Sequence, residues 1–357
     1  MPLREHFRRL IAATGPIPVS RYMADALGHP EHGYYARREP FGTRGDFVTA
    51  PEISQIFGEL IGLWAVACWQ QMGAPGRVVL AEAGPGRGTL MADALRAARL
   101  APDFLAAADV VLIETSPRLR ELQRQALPPL ARPARWIDRV DALPEGPLLF
   151  LANEFFDALP IRQFERHDGA WWERMVGWRE EALCFLRAPD PAGPGLIPEV
   201  LRQAPDGALV ESREADRAIA TLLGEHLSRH GGYGLIIDYG HARSAPGDSL
   251  QAVRGHAYHA VLEDPGLADL TAHVDFQQLA EAATDGGALS HGPLGQGDFL
   301  RRLGLDARAE RLKRDADPRQ RTAIDTACRR LTADDQMGSL FKVLALAGPM
   351  QPPPPGF

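Results

Sequence analysis

From about Arg77 onward the chain repeats one pattern: a short, wholly apolar run followed by a stretch of helical spacing. Parallel strands cannot be joined by a tight turn. They need a crossover of a dozen or more residues, usually a helix, so this alternation points to a parallel sheet. The runs are Val78 to Ala81, Val110 to Ile113, a weak Trp136-Ile137, Leu148 to Ala152, Leu235 to Ile237 and a late Leu340 to Leu346. The strong runs do not alternate apolar with polar, so both faces of their strands should lie under helices. The expected fold class is α/β, with a doubly wound, Rossmann-like sheet.

Residues 1–75 read as a helical N-terminal region. Leu3, Phe7, Leu10 and Ile11 recur at helical spacing. Arg4, Arg8 and Arg9 give this start a basic character, but Glu5 interrupts it and no apolar segment follows. A docked first helix is therefore expected rather than a targeting signal. Ser20 is placed as the cap of a short helix that Gly28 ends. Thr49-Ala50-Pro51-Glu52 reads as a capping box opening a helix that runs to Gly73, with Ile53, Ile56, Phe57, Leu60, Trp64, Ala67 and Cys68 on one stripe. Residues 76–357 form the expected main domain, with a β-rich insertion at about 161–232. Inside it, Gln163-Phe164-Glu165, Ala170-Trp171-Trp172-Glu173 and Leu183-Cys184-Phe185 suggest antiparallel hairpins, and Ala188 to Pro198 a loop. Ala215 to His230 should be helical, and the tail Pro349 to Phe357 frayed.

The charge balance excludes some functions. Lys plus Arg number 39 against 46 Asp plus Glu, a formal charge of −7, where a nucleic-acid binder should carry a basic face. No run reaches the roughly 18 apolar residues of a membrane-spanning helix. Cys68, Cys184 and Cys328 are widely spaced, which reads as reduced thiols and makes the cytoplasm the expected compartment. His256 and His259 lack a third ligand close in sequence, so no metal is expected.

The chemistry concentrates where apolar runs end. Glu82-Ala83-Gly84-Pro85-Gly86-Arg87-Gly88-Thr89 follows a strand and opens a helix. Glycines let a backbone approach a ligand closely, and a helix N-terminus offers free N–H groups. A dinucleotide fingerprint would be G-x-G-x-x-G; here the spacing is G-x-G-x-G, with Thr89 in the place of the third glycine. With an acid two positions before the first glycine, the turn instead resembles motif I of class I methyltransferases. A bare structural turn is the competing account. Glu114 ends the second run, where an acid can accept the two hydroxyls of a ribose; the alternative is compensation of the dipole of the helix that Ser116-Pro117 begins. Asn153-Glu154-Phe155-Phe156-Asp157-Ala158-Leu159-Pro160 ends the fourth run. Its two acids beside paired phenylalanines can hold a cation against an apolar wall, unless Asp157 only caps the next turn.

Together these segments resemble the MidA-like family of class I methyltransferases, which includes the mitochondrial complex I assembly factor with protein arginine methyltransferase activity. The resemblance is carried by Gly45-Asp46-Phe47-Val48-Thr49-Ala50-Pro51-Glu52-Ile53-Ser54, the runs from Glu82 and Ile113, Asn153 to Pro160, Ile236-Ile237-Asp238-Tyr239-Gly240, and the block from Gly247 to Phe276. It covers nearly the whole chain. It implies the cofactor S-adenosyl-L-methionine, held by Glu82, Gly84, Gly86, Gly88, Thr89 and Glu114, with Asp46, Phe47 and Ser54 in a lid that excludes water. It implies catalytic roles for Asn153, Glu154 and Asp157, a protein substrate such as a complex I subunit, and symmetric dimethylation of arginine. A small-molecule methyltransferase and an assembly chaperone that keeps the cofactor as a structural ligand remain the competing functions. The residues leave the oligomeric state open.

Overall fold

The structure, a computed structural model, describes residues 2–37 and 49–357. Contacts divide the chain into two units, each assembled from separate segments. One comprises residues 1–47, 157–217 and 243–277; the other comprises 48–156, 218–242 and 278–357. The expected boundary near residue 75 does not coincide with this division. The long helix before it shares a core with the sheet that follows, whereas the first helices share theirs with the inserted strands.

The second unit holds the parallel sheet. Its strands are β1 (Val78–Ala83), β2 (Ala108–Ile113), β3 (Arg135–Ile137), β4 (Leu148–Asn153), β5 (Gly232–His241), β6 (Leu289–Gly295) and β7 (Phe341–Ala347). Their order across the sheet is β6-β7-β5-β4-β1-β2-β3. Strands β1 to β5 run parallel, while β7 is antiparallel to both β5 and β6. Every residue of β1, β2 and β4 is buried, which apolar runs without alternation require. From β1 the chain steps outward to β2 and β3, then returns to β4 on the other side. That reversal puts a crevice at the carboxyl ends of β1 and β4, where ligands bind in open α/β sheets.

Three helices of this unit frame the crevice: α1 (Gln55–Gln71), α2 (Thr89–Ala97) and α3 (Pro117–Ala126). The capping box at Thr49 does not form. The Thr49 side chain makes no cap bond, a short helix Ala50–Ile53 stops at Ser54, and Ser54 Oγ caps α1 by accepting from Ile56 N at 3.2 Å. Nor is the apolar stripe narrow. Ile61, Ala65 and Trp69 are buried along with Ile56, Leu60 and Trp64, so α1 is enclosed nearly all round. Gly58 and Gly62 make this possible. A Cβ on Gly62 would lie 2.4 Å from the Ala94 carbonyl oxygen of α2, and one on Gly58 2.5 Å from Asp93 Cβ. The tail is docked rather than frayed. Trp64 Nε1 donates to the Pro355 carbonyl (3.1 Å), Tyr233 Oη donates to that of Pro352 (3.0 Å), and Phe357 packs on Phe299.

In the first unit, helices Pro2–Thr14 and Val19–Gly28 bury Leu3, Phe7, Ile11, Tyr22, Met23 and Leu27 in a core with Ile161, Val176 and Leu270. The second of these helices starts after Pro18, not at Ser20. The expected hairpins are present as Arg162–His167, Ala170–Arg179 and Ala182–Pro191. The long middle strand pairs with the last along one edge. On its other edge it pairs first with Arg162–His167 and then with Ile17–Pro18. The third strand runs to Pro191, into the stretch expected to be loop. Among the described residues no helix is long and apolar enough to cross a membrane.

The α1–α2 contact gives a stability prediction. Gly62→Ala should gain about 1 kcal/mol of helix propensity. Forcing a methyl group against a backbone carbonyl costs about 1–3 kcal/mol, so the overlap should win. Denaturant unfolding should show net destabilisation, and an unchanged midpoint would mean that the two helices separate freely.

Candidate functional site

Strand β1 delivers Glu82 and then the glycine turn. Gly84, Gly86 and Gly88 have φ of +62°, +52° and +84°, left-handed values that only glycine adopts without strain. A Cβ on Gly84 would sit 3.0 Å from the Phe155 ring. Thr89 begins α2, and its hydroxyl donates to Glu52 Oε1 at 2.5 Å. That bond draws Glu52 away from the box expected with Thr49. Glu82 is 3% exposed, and its Oε2 has no hydrogen-bond partner among the described residues. Burial raises its carboxyl to about 8, opposed by the backbone amide of Met91.

At the end of β2, Glu114 is buried and held from several sides. Its Oε1 accepts from Ser116 N (2.7 Å) and its Oε2 from Gln123 Nε2 (3.2 Å). Arg120 Nε donates to its main-chain carbonyl at 2.8 Å. Burial raises the Glu114 carboxyl, and the Ser116 amide and the Gln123 side chain act against that rise. Ser116 Oγ caps α3 by accepting from Leu119 N, while Glu114 takes the amide of Ser116 itself.

Strand β4 ends in Asn153, and Glu154 follows with φ +51°, uncommon for a residue with a side chain. Its amide donates to the Ile237 carbonyl (2.9 Å), while its Oε1 accepts from Ala50 N and Asn153 Nδ2, each at 3.2 Å. Asn153 Oδ1 is buried without a partner among the described residues. Phe155 and Phe156 meet edge to face, their centroids 5.2 Å apart. The wholly buried Asp238 fixes them: its Oδ2 accepts from Phe156 N (3.0 Å) and its Oδ1 from Tyr239 N (2.9 Å).

The second unit thus gathers Glu82, the three glycines, Thr89, Glu114, Asn153 and Glu154 at the carboxyl edge of one sheet. Asp157 begins a segment of the first unit. Its carbonyl accepts from Ala272 N (3.0 Å), and its charge raises the neighbouring Asp216, which burial, the larger cause, pushes to about 6. Ser54 serves as the cap of α1. Asp46 and Phe47 lie outside the described residues. Gln123 and Asp238, which hold this edge together, were not singled out as site residues in the sequence. Gln123 carried no local signal: its burial beside Leu119 shows only in the fold.

A family model described as "Putative S-adenosyl-L-methionine-dependent methyltransferase" matches residues 60–294. The protein arginine methyltransferase NDUFAF7 homolog, mitochondrial, of Drosophila melanogaster is 38% identical over 372 residues, spanning 96% of this chain and 84% of that one. The chain belongs to this methyltransferase family. The Homo sapiens protein arginine methyltransferase NDUFAF7, mitochondrial, is 34% identical over 378 residues, spanning 97% and 83%. A crystal structure of a Burkholderia thailandensis protein bound to S-adenosyl-homocysteine matches with a TM-score of 0.86 and 29% identity, spanning 100% of this chain and 94% of that one. The methyltransferase therefore takes S-adenosyl-L-methionine as its cofactor, on the sheet expected of the class. The expected cytoplasmic location is corrected, because these relatives are named as mitochondrial proteins. The wide spacing of the cysteines carries no address.

The state of Glu82 in the methyltransferase without cofactor is testable. An unfolded glutamate titrates near about 4.3, and the folded one near 8. Between these values the folded state keeps a proton that the unfolded state has lost. Glu82's contribution to stability is therefore full below the lower value and lost as pH rises through the higher one. Glu82→Gln stays neutral throughout. Unfolding midpoints should fall more for the wild type than for this variant between pH 5 and pH 8. Parallel profiles would mean that the folded protein already holds Glu82 ionised.

Proposed function

We propose that the protein methylates arginine side chains of a protein substrate, and that the substrate is a subunit of respiratory complex I. The observation that carries the arginine reading is Glu154, held at a left-handed backbone position by Ala50, Asn153 and Ile237 at the ligand-binding edge of the sheet. The arginine half agrees with the names of the relatives, and both halves agree with the family resemblance.

The residues of the edge suit the cofactor. The Oε2 of Glu82, without a partner among the described residues, is a buried acceptor suited to a cationic group, and the positive-φ glycines turn the backbone tightly after β1. When bound, S-adenosyl-L-methionine supplies a methyl group on a sulfonium, which needs no metal and only in-line placement of the nucleophile. In this reading Glu114 accepts from the ribose hydroxyls, Glu82 faces the ammonium end, and Thr89 with Gly84, Gly86 and Gly88 shapes the turn around the cofactor. Ser54 keeps the lid role that the resemblance implies, with Asp46 and Phe47.

An arginine guanidinium is protonated in solution and is a poor nucleophile. Glu154 is assigned to hold that cation, draw its charge away from the attacking nitrogen, and take its proton on the carboxylate as the methyl group moves. Asn153 orients Glu154 through its Nδ2 bond. Asp157, beside Asp216, is given a supporting share in the electrostatics. Symmetric dimethylation is the product the family resemblance assigns, and mass spectrometry of the modified partner reads it directly.

Glu114→Ala should weaken binding of S-adenosylhomocysteine by about 1.5–3 kcal/mol, the range for hydrogen bonds to a charged group. Calorimetry on a protein shown to be folded measures this. Full affinity with a lowered melting temperature would return Glu114 to helix-start duty. Glu154→Gln should leave cofactor affinity near wild type. Single-turnover methyl transfer to the protein substrate, at saturating cofactor, should fall by about 100-fold or more, as for loss of a general base. Transfer at the wild-type rate would rule out the guanidinium mechanism and favour a neutral substrate.

A further inference from the structure

Helix α3 spends a core-facing position on an amide. Of its ten residues only Leu119 and Gln123 are buried, one turn apart, and Gln123 is wholly enclosed. Its Oε1 accepts from the Trp136 indole Nε1 at 2.8 Å. Its Nε2 donates to the Gly86 carbonyl at 2.8 Å and to Glu114 Oε2 at 3.2 Å. An indole nitrogen only donates, and a carbonyl and a carboxylate only accept, so the partners dictate which end of the amide faces which way. A Cβ on Gly88 would come within 3.3 Å of Gln123 Cα, so the glycine turn lies directly against this residue.

We propose that Gln123 is a positioning residue of the cofactor site: its amide, locked by Trp136, ties the Gly86 turn to Glu114 and sets the angle at which that carboxylate meets the ribose. The proposal rests on the reading of Glu114 as the ribose acceptor. Glu114 Oε1 already takes the Ser116 amide and Oε2 takes Gln123, with the Thr115 amide also acting on the carboxylate. A carboxylate has about four lone-pair sites, so both oxygens keep capacity for hydroxyls while the plane of the group is fixed. Without Gln123, Oε2 would lose the donor that faces it from α3. The amide also couples the ends of β1, β2 and β3 through their side chains and turns, where the backbone ladders no longer reach.

The test is a double-mutant cycle read by calorimetry with S-adenosylhomocysteine as the probe. It compares wild type, Glu114→Ala, Gln123→Met and the double variant. Methionine keeps the length and removes the donor and acceptor. Loss of a hydrogen bond to a charged group predicts about tenfold weaker binding for Gln123→Met in the wild-type background. If Gln123 acts through Glu114, the same change in the Glu114→Ala background should cost about twofold or less. The cofactor KM should rise, while kcat at saturating cofactor holds, which a general loss of packing would not produce. Trp136→Phe frees the amide without emptying the core and should weaken binding in the same direction; it decides the matter if Gln123→Met does not fold. Equal losses in both backgrounds, or none, overturn the proposal. Wild-type affinity in Glu114→Ala alone sinks the ribose reading and takes this proposal with it, an outcome distinct from the other two.

Discussion

Where a parallel sheet stops, the ladder of backbone hydrogen bonds stops too, and buried amides just beyond it need other acceptors. Carboxylates answer them here. Asp238 takes the amides of Phe156 and Tyr239, Glu114 takes Ser116, and Glu154 takes Ala50. Each buried amide left unpaired would cost about 1–3 kcal/mol, so these acids are structural before they are anything else. The same arrangement makes the edge acidic. An edge that stabilises its own turns with carboxylates is also suited to a cationic cofactor and a cationic substrate.

Topology decides which carboxylates become neighbours. Because the strand order reverses between β1 and β4, the glycine turn after β1 and the Asn153-Glu154 corner after β4 lie side by side, with Phe155 against Gly84. Helix α1 completes the frame through its glycines. The close approach at Gly58 and Gly62 lets α1 lie against α2, and the short helix before α1 carries Glu52 to the hydroxyl of Thr89. The helix that follows the glycine turn is thus fixed along its flank by packing and at its first residue by a side-chain bond.

What the sequence made legible follows from how local each signal is. The strong strands of the sheet are dense apolar runs, and the glycine turn announces its own backbone conformation, so both could be read without tertiary information. The residues that bind the site together could not. Gln123 is named by Gly86, Glu114 and Trp136, partners that lie 37, 9 and 13 positions away. Thr49-Ala50-Pro51-Glu52 has every local mark of a capping box, yet Glu52 finds Thr89, 37 positions on, and the box does not form. The proline-rich tail has no helical or strand period and reads as frayed. Its order comes from carbonyls accepting from Trp64 and Tyr233. The division into units was obscured for the same reason, since the partners of the first helices are strands more than a hundred residues downstream.

Backbone strain separates Glu154 from the other residues of its kind. Among the described residues, six further non-glycine residues have positive φ: Ala74, Asp168, Glu180, Glu181, His256 and Asp264. Asp168, Glu180, Glu181 and His256 sit in the tight turns of hairpins, and Ala74 follows the end of α1; there the left-handed region is how the chain reverses or leaves a helix. Glu154 instead follows directly on a fully buried parallel strand, with its amide still bonded to the neighbouring strand. A glycine at this position would adopt the same φ without the cost, of order 1–3 kcal/mol, that such a conformation imposes on a residue with a Cβ. It would also leave the Ala50 amide without its carboxylate and remove a charge from this corner. The chain keeps the acid and bears the strain. The direction that this strained backbone gives the carboxylate is the one in which Oε1 accepts from both Ala50 N and Asn153 Nδ2.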